Sequence, residues 1–87
     1  MSYEVTLRRA AQNGLDGASD QEYGRLAEVI SALEENPRPS RVKKLARGGL
    51  WRVRVGQHRV VCAIDDEARV VTVLRVARRR EDTYKGL

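Results

Sequence analysis

The chain has few of the residues that build disulfide frameworks, metal sites or aromatic cores. Its 87 residues include one cysteine, one histidine, one tryptophan and no phenylalanine. A lone cysteine cannot form an internal disulfide, and one histidine with one cysteine supplies no paired zinc ligands. We therefore expect no metal and no cofactor, and a core built mainly from aliphatic side chains.

The N-terminal segment also lacks the long apolar run of a signal peptide or a membrane span. A length of 87 residues suits one small domain, so residues 1–87 are predicted to form a single unit. No cysteine pattern points to an oxidising compartment. We expect a cytoplasmic protein without membrane contact.

Positive charge is what the sequence has in excess. The formal net charge is +5 and the isoelectric point is near 10.0. Between Arg41 and Arg59 the chain carries lysines and arginines but no acidic residue, and 75–85 is again rich in arginine. Because a guanidinium group binds phosphate bidentately and stays charged, the expected partner is polyanionic. That partner is nucleic acid or an acidic protein; a merely solvated basic face is the alternative.

The apolar pattern predicts an α+β fold with the order β–α–α–β–β–β–β. Ser19 and Glu22 fit a capping box, after which apolar residues recur at helical spacing as far as Leu33. A shorter helix is predicted over 8–15. Two N-terminal helices should then pack on one face of a small antiparallel sheet and leave the other face open. The strands are predicted over 3–7, 42–46, 50–55, 59–64 and 70–76.

Alternation in the third predicted strand places Trp51 and Val53 on one face and Arg52 and Arg54 on the other. Arg59 follows a tight hairpin connection and should lie close to Arg54. Neighbouring cations on a strand repel each other unless an anion lies across them, so these arginines indicate phosphate binding. Trp51 is interpreted as a core residue, with stacking on a base as the alternative.

No glycine-rich phosphate loop, nucleophile elbow or carboxylate pair stands out. His58 is interpreted as a turn or packing residue, although a lone acid–base role is the alternative. Asp65–Glu67 has the composition of a turn, and Cys62 is expected in the core. Tyr84, close to the C-terminus, could fold back over the sheet and stack on a base; a frayed basic tail is the other interpretation.

The combination of Lys43-Lys44-Leu45, WRVRVGQHRVVCAIDDE and VTVLRVARRREDTY resembles the RelE/ParE toxin superfamily, and RelE-type messenger-RNA endonucleases in particular. This resemblance covers 43–84. It implies a toxin of a type II toxin–antitoxin pair that cuts messenger RNA in the ribosomal A site and is silenced by a RelB-like antitoxin. The alternatives are a ParE-type inhibitor of DNA gyrase without nuclease activity and a basic binding module without catalysis.

The same resemblance assigns the site. It implies a catalytic set of four arginines and a tyrosine: Arg52, Arg54, Arg59, Arg79 (with Arg78 as its alternative) and Tyr84. It also leads us to expect RNA binding by the surrounding basic residues, which are Lys43, Lys44, Arg47, Arg78 and Arg80.

The implied reaction is metal-free attack of a ribose 2′-hydroxyl on the adjacent phosphate. Arginines would stabilise the charge of the transition state, and the terminal tyrosine would orient a base. Where the best-known member of the family has lysines, this chain has Arg52 and Arg54, and arginine is a poor general base. The proton must therefore pass to another group (Glu81, Tyr84 or ribosomal RNA), or catalysis is mainly electrostatic.

Overall fold

The computed structural model describes residues 2–40, 42–45 and 48–78, and the helices and strands follow the predicted order. The predicted α+β class is confirmed, and the element bounds agree with the sequence pattern to within two residues. The elements are β1 (Glu4–Leu7), α1 (Arg9–Asp16), α2 (Asp20–Ala32), β2 (Val42–Lys44), β3 (Leu50–Val55), β4 (His58–Asp65) and β5 (Val70–Arg78).

The strands form one sheet in the order β1-β5-β4-β3-β2. Strands β2 to β5 pair antiparallel, whereas β1 pairs parallel with β5, Val5 lying opposite Val71. The sheet is therefore mixed rather than wholly antiparallel. The reason is the connection after β1: both helices carry the chain across the sheet before β2 begins, so β1 meets the last strand instead of the next one.

The capping box of α2 forms as the sequence predicts. The backbone N–H of Glu22 donates to Ser19 Oγ at 3.2 Å, and the Glu22 carboxylate accepts from the backbone N–H of Ser19 at 3.3 Å. Leu26 and Ile30 then point into the core. Tyr23, which the helical spacing places with them, remains 42% exposed.

The core lies between the two helices and one face of the sheet. Close approach of α1 to β5 depends on Gly14, since a Cβ at this position would lie 1.8 Å from the carbonyl oxygen of Val76. Cys62 is fully buried as predicted, and its burial raises the pKa of the thiol to about 11. The buried residues of this cluster are Ala11, Leu15, Leu26, Ile30, Leu33, Val53, Val55, Val60, Cys62, Val71, Val73 and Val76.

A polar contact joins three segments at the β4–β5 turn. The Tyr3 hydroxyl donates to Asp66 Oδ1 at 2.7 Å, and the Arg38 guanidinium donates to both carboxylate oxygens of Asp66 at 2.9 Å. The same guanidinium lies 4.8 Å from the centroid of the Trp51 ring. The hydrogen bonds from Arg38, followed by the one from Tyr3, lower the pKa of Asp66. Asp66 therefore acts as a turn residue that ties the α2–β2 connection to the sheet.

Replacing Asp66 with Asn should reduce the loss of stability that the wild-type protein suffers in acid. Because the pKa of Asp66 is lowered in the folded state, the ionised carboxylate stabilises the fold above the ordinary aspartate pKa of about 3.9. That contribution disappears as the pH falls through the lower, folded-state pKa. Urea unfolding at pH 7 and at successively lower pH, with Glu67→Gln in the same turn as control, measures the effect. Equal acid sensitivity of Asp66→Asn and wild type would contradict it.

Candidate nucleic-acid interface

One face of the sheet packs against the helices, and the other face carries several arginines. In β3, Val53 and Val55 are buried against the helices, so Arg52 and Arg54, which alternate with them, point to the opposite face. We call this second side the arginine face and define it by its five basic residues. They are Lys43 of β2, Arg52 and Arg54 of β3, Arg59 of β4 and Arg75 of β5.

Strand register orders these residues in two rows. Arg54 is directly opposite Arg59, which agrees with the prediction that the two lie close together. In the next row Lys43 lies opposite Arg52. Facing residues of antiparallel strands have Cβ atoms about 5 Å apart, and like charges held directly opposite are destabilising. A phosphate placed over Arg54 and Arg59 would offset that repulsion with charge-assisted hydrogen bonds.

The second row continues across the sheet to Arg75. Arg52 lies opposite Val61, and Val61 lies opposite Arg75. Val61 is fully buried although it is on the arginine face. The aliphatic stems of its two arginine neighbours can cover it while their charged ends reach solvent. The arginine face thus has an apolar base between its charges.

A groove opens on the arginine face beside β2 and β3. It encloses about 370 Å³ and is lined by Lys43, Arg52, Arg54 and Gly56. Gly56 has a φ of 58°, a left-handed conformation that glycine adopts without steric cost. The tight Gly56–Gln57 turn that this allows holds β3 and β4 in the register that opposes the arginines.

Arg75 is the residue of this face that sequence reasoning missed. Its only local signal is a charge between the apolar Leu74 and Val76. The strand pairing shifts between Val61 and Cys62, which leaves Leu74 as an extra residue in β5. Such a bulge shifts the alternation of side chains between the two faces of the sheet. Counting residues from the start of β5 therefore does not predict on which face Arg75 lies.

Two residues of the predicted RNA-binding set lie away from this face. Lys44 is opposite Trp51, and its Nζ lies 5.9 Å from the centroid of that ring, on the helix side of the sheet. Arg78, the alternative to Arg79, lies opposite His58, with Nη2 3.6 Å from Glu22 Oε1. The remaining predictions, Arg47, Arg79, Arg80 and Tyr84, lie outside the described residues.

His58 and Trp51 both lie on the face of the sheet that packs against the helices. His58 is 4% exposed, and its Nδ1 lies 3.7 Å from Glu22 Oε2, which agrees with a packing role. Trp51 is half-buried against the core, with Arg38 and Lys44 at its ring.

Within 2–40, 42–45 and 48–78, no three histidine, cysteine or acidic side chains are grouped to hold a metal ion. Neither α1 nor α2 has the length and apolar content to span a membrane.

Two helices on a mixed five-stranded sheet with a basic open face define a small toxin of the RelE/ParE superfamily, as the sequence predicted. The family model described as "ParE toxin of type II toxin-antitoxin system, parDE" matches residues 5–83, so the chain belongs to the ParE toxin family. No curated protein matches the chain by sequence.

Solved structures agree with this assignment. A chain of the toxin–antitoxin complex RelBE2 from Mycobacterium tuberculosis is 28% identical, with a TM-score of 0.80 over 91% of this chain and 100% of that one. A chain of the archaeal RelE–RelB complex from Pyrococcus horikoshii OT3 is also 28% identical, with a TM-score of 0.82 over 93% and 99%. The intact RelBE complex of E. coli, at 18% identity and a TM-score of 0.78 over 92% and 100%, shares the fold.

Proposed function

We propose that this toxin inhibits translation by cutting messenger RNA in the ribosomal A site. The observation that carries the proposal is the opposed pair Arg54 and Arg59 on the open face, flanked by the row that contains Arg52. Phosphodiester cleavage by a 2′-hydroxyl builds negative charge on the phosphoryl oxygens. Fixed cations that meet this charge stabilise the transition state without reorganising.

The rest of the proposed site follows the resemblance. Arg79 would complete the set of cations around the phosphate, and Tyr84 would stack on a base beside the cleaved bond. Arg47 and Arg80 would contact the RNA backbone outside the central pair. Lys43 and Arg75 extend the phosphate-binding surface along the arginine face in opposite directions, Lys43 to β2 and Arg75 to β5.

We also propose a cognate antitoxin as the protein partner. RelE-type chains that resemble this protein are found in complexes with RelB. A net charge of +5 favours an antitoxin segment with acidic residues that covers the arginine face or displaces 78–84. A segment that folds on binding can wrap such a surface.

Inhibition of DNA gyrase is the second candidate, because the matching family carries the ParE description. The density of arginines on one open face supports the nuclease instead. Inducing the toxin in cells and mapping the 5′ ends of messages separates the two. Cuts in phase with codons support A-site cleavage, whereas intact messages with altered DNA supercoiling support gyrase as the target.

Purified toxin should cut messages on programmed ribosomes and leave the same naked RNA intact. The reason is the open groove beside Arg52 and Arg54, which has solvent on one side and needs a second surface to hold the substrate. End-labelled message, incubated with toxin alone, with ribosomes alone and with both, measures the difference. Cutting of naked RNA at a similar rate would contradict ribosome dependence.

A further inference from the structure

We propose that Lys43 is the general base that removes the proton from the attacking 2′-hydroxyl, an inference that rests on the proposed nuclease function. A base positioned for this transfer contributes about 10²–10⁴ in rate. Arg52, Arg54, Arg59 and Arg75 cannot supply it, because a guanidinium group does not give up its proton in proteins. A lysine amine can exist in both the charged and the uncharged form, so lysine is chemically suited to this task.

The position of Lys43 fits that task. It is exposed on β2, directly opposite Arg52, and lines the same groove as Arg52 and Arg54. An amine on a four-carbon stem can therefore reach the ribose of a nucleotide whose phosphate lies on the arginines. Among the four residues that line this groove, Lys43 is the one whose side chain can release and accept a proton.

Carboxylates on the same face lie too far away. Glu4 of β1 and Asp65 of β4 both pair with Val70, at the end of the sheet remote from the hairpin. Asp65 is six residues along β4 from Arg59, or about 20 Å at 3.3–3.4 Å per residue. Its Oδ1 also accepts a hydrogen bond from the backbone N–H of Ala68 at 3.1 Å.

Other described groups that can transfer protons are on the helix side or in contacts of their own. His58 is buried beside Glu22. Cys62 is enclosed in the core, on the face opposite the groove. The hydroxyl of Tyr3 donates a hydrogen bond to Asp66 in the β4–β5 turn. None of these groups lines the groove. Among the residues that the structure describes, Lys43 is therefore the candidate for the general base.

The uncharged amine of Lys43 takes the 2′-hydroxyl proton while the 2′-oxygen forms a bond to phosphorus. The bond from phosphorus to the 5′-oxygen breaks, and that oxygen keeps the electron pair and takes a proton from water. The products are a 2′,3′-cyclic phosphate and a 5′-hydroxyl, and the Lys43 ammonium returns its proton to solvent.

Lys43→Arg tests the proposal, because it keeps the positive charge but removes the base. Affinity for an RNA fragment and its salt dependence should stay unchanged. The single-turnover cleavage rate on programmed ribosomes should fall about 10²–10⁴-fold. The wild-type rate should rise with pH, since a base acts only after losing its proton, and the variant should lose this rise. Lys44→Arg, one residue away on the opposite face, is the matched control and should keep the wild-type rate and profile.

A second measurement separates chemistry from structure. Lys43→Ala should regain part of its rate when a small primary amine is added, an effect that a structural role would not produce. Wild-type rate and pH dependence in Lys43→Arg would overturn the proposal, and would leave Glu81, Tyr84 or ribosomal RNA as the base, or a mainly electrostatic mechanism. A wild-type toxin that cuts nothing on ribosomes would contradict the nuclease function itself, so the two failures are distinguishable.

Discussion

Replacing Arg54 or Arg59 with alanine is expected to slow message cleavage on ribosomes about 10²- to 10³-fold, the usual cost of removing one fixed group that stabilises transition-state charge. The two residues are directly opposite each other, so each contacts the same phosphate in the proposed complex. Single-turnover cleavage with saturating toxin measures the loss. Unfolding midpoints in urea should confirm that each variant is folded.

Binding provides an independent measurement of the same contact. Each arginine that neutralises one phosphate should contribute about 0.7 to the slope of log affinity against log salt for single-stranded RNA. Arg54→Ala and Arg59→Ala should each lower this slope by about that amount. Arg9→Ala, an exposed arginine at the start of α1, removes one charge from the helix layer and is the control. Equal slopes in all four proteins would mean that the arginine pair does not bind phosphate.

Gly14→Ala should destabilise the protein by about 3 kcal/mol, the upper part of the usual range for overpacking a core. The added Cβ would lie 1.8 Å from the carbonyl oxygen and 2.9 Å from the carbonyl carbon of Val76. These are backbone atoms of β5 and cannot rotate away as a side chain can. Helix α1 must therefore shift off the sheet and open the packing around Ala11 and Leu15, which are both buried.

Gly24→Ala is the matched control because it makes the same substitution in the other helix. Apart from its chain neighbours and the backbone of its own helix, a Cβ at Gly24 would have no atom within 4 Å. Alanine is favoured over glycine in a helix by about 0.5–1 kcal/mol, so this variant should be slightly more stable than wild type. Urea unfolding of both variants measures the two changes. If the free energy of unfolding changed with the same sign in both variants, close contact with β5 would not be the reason that position 14 requires glycine.

The candidate site was predictable where strand neighbours decide it. Alternation alone separated Arg52 and Arg54 from Val53, because successive side chains of a strand point to opposite faces. The tight connection predicted over Gly56–His58 indicated that Arg59 lies close to Arg54. The structure places the two directly opposite each other, because a short turn sets the register of the hairpin it closes.

The same reasoning could not assign residues whose position depends on a distant strand. Lys43 and Lys44 are equivalent in the sequence, and only the pairing of β2 with β3 places Lys43 on the arginine face and Lys44 at Trp51. A shift of one residue would exchange them. Arg75 was missed for a related reason, since the bulge in β5 is visible only when β4 is beside it.

The sequence by itself determined the helices, the strands, the capping box of α2 and the sign of the exposed charge, because these depend on residues within about four positions of each other. Only the tertiary structure decided that β1 pairs parallel with β5, that Gly14 must approach Val76, and that one lysine joins the arginines. Those features depend on contacts between segments far apart in the chain. Their free energies are set by register and packing, which the local pattern of residues does not encode.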